Sequence, residues 1–117
     1  MTRALTLMFM SGVEDGKSIT LVAEAGDGVA EIDSWTLTIG RQDDQDIRLQ
    51  RDSFISREHA TLLMRGGQWW LNDLNSRNGS FIESAGEEVR IKEPAPVREG
   101  QLFKIGRTWL RIQPQGD

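Results

Sequence analysis

The feature that most constrains the fold of this chain is a period-two alternation of apolar and polar residues. Trp35, Leu37 and Ile39 alternate with two threonines. The same spacing recurs in other short runs, at residues 5–9, 47–49, 69–71, 103–105 and 110–112. Alternation of this kind places one face on a core and the other in water, which is typical of antiparallel strands. Glycine-containing turns separate the runs, so the pattern predicts an all-β sandwich or barrel.

The size and composition of the chain exclude several classes of protein. Its 117 residues suit one domain, and no apolar run approaches the roughly 20 residues of a membrane span. Cysteine is absent and His59 is the single histidine, which excludes disulfides, thiolate metal sites and multi-histidine metal cages. The formal net charge of −4 argues against nucleic acid as the main partner. We expect a cytoplasmic protein that binds neither membrane nor nucleic acid.

Residues 53–65 are ambiguous by local rules. Ser53 is a suitable N-cap and Gly66 a suitable stop for a helix over this stretch. The other interpretation is a loop as far as His59, followed by a strand with Ala60 and Leu62 on one face.

Three clusters of polar residues lie at the predicted strand ends, where binding residues are often found. They are Gly40-Arg41, residues 56–59 and residues 73–80. Each has a purely structural explanation: a turn with an exposed arginine, a loop held by a local Ser56–His59 hydrogen bond, and a hairpin turn at Asn78-Gly79. No cluster is specific by itself.

The order and spacing of these clusters resemble the forkhead-associated (FHA) domain family. The pattern reads Gly-Arg at 40–41, Ser-Arg-x-His-Ala at 56–60 and Asp-Leu-x-Ser-x-Asn-Gly at 73–79, and residues 97–106 are similar to the family's last two strands. The resemblance implies an eleven-strand antiparallel β-sandwich of the FHA/SMAD-like type, with the binding loops at one end. It implies a single FHA domain over residues 1–112, with 113–117 as a short tail or the start of a linker. It also favours loop and strand over helix for residues 53–65.

The resemblance further implies a signalling adaptor that binds phosphothreonine-containing segments of other proteins, downstream of a Ser/Thr protein kinase. No catalysis, cofactor or metal is expected. Phosphothreonine carries a charge of about −1.5 to −2 and three strong acceptor oxygens. Arginine suits such a group, because its guanidinium donates to two oxygens at once.

Individual roles follow from the resemblance. Arg41 and Ser56 would hold the phosphate, with Arg57 and Arg77 adding positive charge, and Asn78 would bind the backbone of the ligand. The remaining residues would support the site structurally: Gly40, His59, Ser76 and Gly79. Asp73 would help Ser76 to hold the third loop.

The chain departs from the common family pattern at three positions. Arg77 stands where many members carry threonine, Asn75 replaces a frequent glycine, and Glu83 replaces a frequent asparagine. We expect Asn75 to be tolerated, because asparagine adopts left-handed backbone geometry.

Four carboxylates lie between Arg41 and Arg57 in the sequence: Asp43, Asp44, Asp46 and Asp52. One interpretation of residues 43–46 is a solvated turn. Another is that these carboxylates select a basic residue beside the phosphothreonine.

Three alternative functions remain at the level of sequence. A binding fold can lose its ligand, which leaves a phosphate-independent interaction module. Ser56 and His59 are the only candidates for a serine nucleophile with its base, but no orienting carboxylate is recognisable. A threonine of the chain itself, Thr2 or Thr6, could occupy the site when phosphorylated; the short segment before Thr6 makes this unfavourable.

Overall fold

The structure, a computed structural model, describes residues 3–12 and 14–114 and contains twelve strands. They are β1 Ala4–Phe9, β2 Ser18–Val22, β3 Val29–Ala30, β4 Ser34–Gly40, β5 Ile47–Arg48, β6 Ala60–Arg65, β7 Gln68–Asp73, β8 Ser80–Ser84, β9 Glu87–Arg90, β10 Ala95–Val97, β11 Leu102–Ile105 and β12 Thr108–Ile112. The one helical element within these ranges is a 3₁₀ turn, Ala23–Ala25. None of the described helical structure is long and apolar enough to cross a membrane. Thr2 and residues 115–117 of the predicted tail lie outside the described residues.

The strands form two sheets, which confirms the predicted β-sandwich. One sheet has the order β2-β1-β12-β11-β8-β9 and the other β10-β7-β6-β4-β3, with β5 paired to β4. The count is twelve and not eleven, and the β4–β5 pair is parallel, whereas all other pairs are antiparallel. Both β3 and β5 are only two residues long and flank β4, so the count depends on these short pairings.

The apolar face of each alternating run lies in the core between the sheets. In β4, Trp35, Leu37 and Ile39 are buried, and Leu37 pairs with Leu62 of β6. Trp35 also packs against Trp69 of β7, with the ring centroids 5.7 Å apart. Burial of a large apolar side chain contributes about 1.5–3 kcal/mol, so these rows fix which face of each strand points inward.

Residues 53–65 form a loop and then a strand. β6 begins at Ala60, whose side chain is buried together with that of Leu62. Gly66 and Gly67, with φ of 61° and 75°, join Arg65 to Gln68 in a two-residue hairpin. Positive φ at both positions is the type I′ geometry that fits the twist of the two strands. The β6–β7 hairpin therefore decides the ambiguity against the helix.

Asn78-Gly79 does not form the hairpin that its sequence suggests. β7 ends at Asp73 and β8 begins at Ser80, but the two strands belong to different sheets. Gly79 has φ of 87°, whereas Asn78 is not among the described residues with positive φ. Residues 74–79 therefore cross from one sheet to the other, and the structural explanation of this cluster is wrong.

The turn of the β8–β9 hairpin contains an alanine in a strained backbone conformation. Ala85 and Gly86, with φ of 53° and 80°, join Ser84 to Glu87. A left-handed conformation costs an L-residue such as alanine about 1–2 kcal/mol, whereas asparagine adopts it more readily. We expect Ala85→Asn, which creates Asn-Gly, to raise the free energy of unfolding by about 0.5–1 kcal/mol in urea denaturation.

Ala85→Val is the matched control, because a β-branched residue is strained at positive φ. It is expected to lower the free energy of unfolding. Equal effects of the two substitutions would contradict the explanation from backbone strain.

Candidate functional site

The register of three strands brings the polar clusters to one edge of the sandwich. Ile39 at the end of β4 pairs with Ala60 at the start of β6, and Ala60 pairs with Asp73 at the end of β7. The segments that continue from these ends therefore start side by side. They are Gly40-Arg41, the loop 49–59 before β6, and the loop 74–79 after β7. The last two are called the second loop and the third loop below.

Arg41 is fastened to the loop 49–59 at two points. Its backbone N–H donates to the Ser56 carbonyl at 3.1 Å, and its Nε donates to the Ile55 carbonyl at 3.1 Å. The side chain is exposed, and none of the salt bridges among the described residues includes it. The two terminal nitrogens of the guanidinium therefore remain available as donors to an anion.

Gly40 is required by the close approach of the same loop. A Cβ atom at this position would collide with the backbone carbonyl of Arg57. The φ of Gly40 is not in the left-handed region, so the requirement is for space and not for an unusual backbone conformation. The Arg57 carbonyl also accepts a hydrogen bond from the N–H of Gln42 at 3.2 Å, which keeps the two segments together.

His59 connects the second and third loops from inside the protein. Its ring is fully buried, Nδ1 accepts a hydrogen bond from the N–H of Ser56 at 3.0 Å, and Nε2 contacts the Gly79 carbonyl at 2.9 Å. Because Nδ1 accepts from an N–H, the proton of the neutral ring lies on Nε2 and is donated to Gly79. Both nitrogens are thus engaged with the backbone, and neither contacts the hydroxyl of Ser56.

The hydroxyl of Ser56 lies where the second and third loops meet. Its Oγ accepts a hydrogen bond from the backbone N–H of Arg77 at 3.3 Å. A hydroxyl that accepts one bond still has its proton to donate. The side chains of Arg57 and Arg77 are exposed, and none of the salt bridges among the described residues includes either of them.

Asp73 anchors the third loop. Its carboxylate accepts from the N–H of Ser76 at 2.9 Å, from the Ser76 hydroxyl at 2.6 Å and from the Ser80 hydroxyl at 2.6 Å. The Ser76 oxygen in turn accepts from the N–H of Gly79 at 3.0 Å. Burial alone would raise the pKa of Asp73, but the hydrogen bonds from Ser76 and Ser80 outweigh it and hold that pKa below its ordinary value.

Asn78 is only partly available to a ligand. Its Nδ2 donates to the Phe54 carbonyl at 2.8 Å, which holds the third loop to the second. Its amide oxygen accepts no hydrogen bond from the described part of the chain and remains free as an acceptor. Gly79 beside it has positive φ, and a Cβ there would lie 2.7 Å from Nε of Arg90.

The departures from the family pattern have different consequences. Asn75 adopts the left-handed conformation that was expected of it, with φ of 56°. Arg77 contacts Ser56 through its backbone N–H, so the side chain is not needed for that bond. Glu83 lies in the β8–β9 hairpin, where it pairs with Glu88 and not with any residue of the three clusters.

Two of the four carboxylates between Arg41 and Arg57 are used inside the protein. Asp46 accepts from the N–H of Thr38 at 2.8 Å and from the N–H of Gly28 at 3.1 Å. Asp43 and Asp44 are exposed. The solvated-turn interpretation therefore fits Asp43 and Asp44 but not Asp46.

Asp52 is a structural residue of the site that sequence reasoning missed. Its carboxylate accepts from the N–H of Arg107 at 2.7 Å, from the Thr108 hydroxyl at 2.7 Å and from the N–H of Phe54 at 2.9 Å. It thereby joins the second loop to the turn between β11 and β12. No local signal identifies this role, because two of the three partners lie more than 50 residues away in sequence.

Comparison with known proteins identifies a family and several relatives. The family model described as the FHA domain matches residues 37–106. An FHA domain-containing protein of Mycobacterium tuberculosis (strain ATCC 25618 / H37Rv), FhaB, is 36% identical over 76 residues, which cover 65% of this chain and 46% of the relative. The chain thus spans about half the length of this curated relative.

Solved structures share the fold. One, from a structural and functional analysis of phosphothreonine-dependent FHA domain interactions, has a TM-score of 0.71 at 23% identity and covers 98% of this chain and 100% of that chain. Mycobacterium tuberculosis EmbR, in complex with a low-affinity phosphopeptide, has a TM-score of 0.72 at 23% identity and covers 97% of this chain and 25% of that chain. At this level of identity the likeness concerns the fold.

The lowered pKa of Asp73 predicts a pH-dependent contribution to stability. The carboxylate stabilises the folded state fully above the ordinary pKa of 3.8, and this advantage is lost as the pH falls through the lower folded value. At pH 7 we expect Asp73→Asn to lower the free energy of unfolding by about 2 kcal/mol, because it weakens charged hydrogen bonds. The difference from wild type should shrink below about pH 4, measured by urea denaturation at a series of pH values.

Asp44→Asn is the control for this series, since Asp44 is exposed and outside the network. Its effect on the free energy of unfolding should be small at every pH of the series. A wild-type advantage over Asp73→Asn that stayed constant down to pH 2 would contradict the assignment.

The role of Asp52 is tested by amide hydrogen exchange. We expect Asp52→Asn to speed exchange of the Phe54 and Arg107 amides about tenfold or more, because each loses a bond to a charged acceptor. Asp43→Asn should leave both amides unchanged. Unaltered protection in Asp52→Asn would mean that the loop is held by its other contacts.

Proposed function

Because this chain belongs to the FHA domain family, we propose that it binds phosphothreonine-containing segments of partner proteins. The phosphate would be held by Arg41 and Ser56. The observation that carries the proposal is that Arg41 is bonded to the loop that carries Ser56, while both residues keep donors that the protein does not use. Arg41 is bonded to the Ile55 and Ser56 carbonyls, while the Ser56 hydroxyl still has a proton to donate.

The electrostatics of the site suit a dianion. A phosphate bound here would meet the guanidinium of Arg41 without displacing a carboxylate, since no described salt bridge includes that residue. Arg57 and Arg77 would add positive charge from exposed positions on the loops 49–59 and 74–79. Charged hydrogen bonds contribute roughly 1.5–3 kcal/mol each, so two or three of them could support micromolar binding of a short peptide after ordering costs.

The backbone of the ligand would be held by Asn78. Its Nδ2 is engaged by the Phe54 carbonyl, so the contact would use the free amide oxygen as an acceptor for a peptide N–H. Gly40, His59, Ser76 and Gly79 would act indirectly, by keeping the three loops at their distances. Asn78 would thus bind the peptide through its amide oxygen and hold the third loop to the second through its Nδ2.

The relatives support the choice of ligand. One structural neighbour comes from a study of phosphothreonine-dependent FHA domain interactions, and another was solved with a phosphopeptide. We infer that the input to this chain is a Ser/Thr protein kinase acting on the partner and that the output is recruitment of that partner. A cytoplasmic location fits, because such kinases use ATP.

The arrangement of His59 speaks against a serine hydrolase. A general base must reach the hydroxyl of its nucleophile, but the two ring nitrogens contact the Ser56 N–H and the Gly79 carbonyl. His59 is the only histidine of the chain. The proposal is accordingly a binding module without catalysis of its own.

The decisive experiment is fluorescence anisotropy with a degenerate phosphothreonine peptide library. We expect binding that Arg41→Ala weakens by roughly a hundredfold and Ser56→Ala by roughly tenfold, since they remove two and one charged hydrogen bonds respectively. Phosphoserine and unphosphorylated libraries serve as ligand controls. Arg65→Ala, an exposed arginine at the far end of β6, is the matched protein control and should bind as wild type does.

Two outcomes would count against the proposal. Equal binding of phosphorylated and unphosphorylated libraries would favour a phosphate-independent interaction module. Phosphopeptide binding that survives Arg41→Ala and Ser56→Ala unchanged would place the phosphate elsewhere.

A further inference from the structure

A cavity of about 540 Å³ is lined in part by the first residues of the loop that carries Ser56. It is half open, and three groups of residues line it: members of 9–12 and 14–19, residues 48–54, and Arg107 with Thr108. A volume of this size falls within the roughly 300–1,000 Å³ of small-molecule sites.

The cavity is separate from the proposed phosphate site. None of the residues assigned to phosphate or to the peptide backbone lines it. The cavity is lined by residues 49–54 of the loop that carries Ser56, among them Asp52, which fastens that loop, and Phe54, whose carbonyl accepts the hydrogen bond from Asn78. A ligand in the cavity would therefore contact residues 48–54 and none of the phosphate donors.

The walls of the cavity are apolar in their deeper part. Phe9 and Leu49 belong to the buried core, and Ile19 packs against it. Phe54 closes one side with its ring, which the Arg107 guanidinium covers at 3.7 Å from the centroid. These surfaces would accept an aliphatic or aromatic group.

The charges around the cavity are predominantly positive. The cations of its lining are Lys17, Arg48, Arg51 and Arg107. Against these four stand two carboxylates, Glu14 and Asp52, so the lining carries a formal charge of +2 in a chain of −4. Asp52 is already engaged in three hydrogen bonds within the protein, and Glu14 pairs with Lys17 at 3.0 Å and with Arg51 at 3.5 Å.

We propose that this cavity is a second ligand site, which binds a small organic anion with an apolar body. The apolar group would lie against Phe9, Leu49 and Phe54, and the anionic group would face the cations at the rim. This assignment does not depend on the proposed phosphothreonine binding, because it uses none of the donors of that site.

The probe for the test is 8-anilinonaphthalene-1-sulfonate (ANS), an aromatic sulfonate that becomes fluorescent in apolar surroundings. We expect saturable binding of one ANS per folded chain, and we expect it to persist when a phosphothreonine peptide saturates the other site. Displacement of ANS by the peptide would overturn the proposal, since the cavity would then belong to the phosphopeptide site. If no phosphopeptide binds, the titration of the chain alone still decides the question.

The location of the probe is tested by one charge-reversing double variant and by one steric variant. Lys17→Glu with Arg51→Glu reverses the rim charge while leaving the apolar walls intact, and should weaken ANS binding by about tenfold. The matched control is Arg65→Glu with Arg98→Glu, which changes the net charge equally at exposed positions outside the cavity.

Ile19→Trp is the steric variant, because Ile19 lines the cavity from the inward face of β2 and an indole there would occupy it. It should abolish the saturable signal, provided that urea denaturation shows the cooperative unfolding of the wild type. Equal weakening by the two charge-reversing pairs, or full ANS binding to a folded Ile19→Trp, would overturn the proposal.

Discussion

The site depends on one buried interaction, the bridge that the His59 ring makes between two loops. Its Nδ1 accepts from the Ser56 backbone and its Nε2 donates to the Gly79 carbonyl. A buried polar group is stable only when its hydrogen bonds are satisfied, and here each partner is the main chain of a different loop. Movement of either loop would therefore leave an unsatisfied group in the core. This constraint holds the donors of Ser56 and the backbone around Asn78 at a fixed separation.

A chain with a net negative charge can present arginines without carboxylate partners, because it uses several of its carboxylates as internal hydrogen-bond acceptors. Asp46, Asp52 and Asp73 each accept several hydrogen bonds from backbone N–H groups and hydroxyls. These bonds turn the carboxylates toward the loops that they fasten. The arginines of the three clusters form no described salt bridge with them. A formal charge of −4 for the whole chain thus says little about the field at one end of the sandwich.

Sequence patterns predict local geometry here better than they predict partners across the fold. Gly66-Gly67 makes the hairpin that its residues favour, because β6 and β7 are neighbours in one sheet. Asn78-Gly79 carries an equally strong hairpin signal, but its flanking strands belong to different sheets, and sheet membership is a non-local property. The cluster spacing identified the family, which the family model over residues 37–106 confirms. The assignment of Arg41, Ser56 and Asn78 to the ligand stays a prediction. Asp52 escaped prediction, because its partners Arg107 and Thr108 are close only in the folded chain.

The affinity of such a small site rests on how much order it has before the ligand arrives. A free arginine side chain loses up to about 2 kcal/mol of rotamer entropy when it is immobilised. In this chain the Nε–Ile55 bond already restrains the guanidinium of Arg41, so part of that cost is met on folding. The Arg77 N–H likewise donates to the Ser56 oxygen, and this bond restricts the directions in which the Ser56 hydroxyl can point its own proton. A preorganised pair of donors loses less conformational entropy on binding. In this way two side chains could bind a dianion in competition with the water that hydrates it.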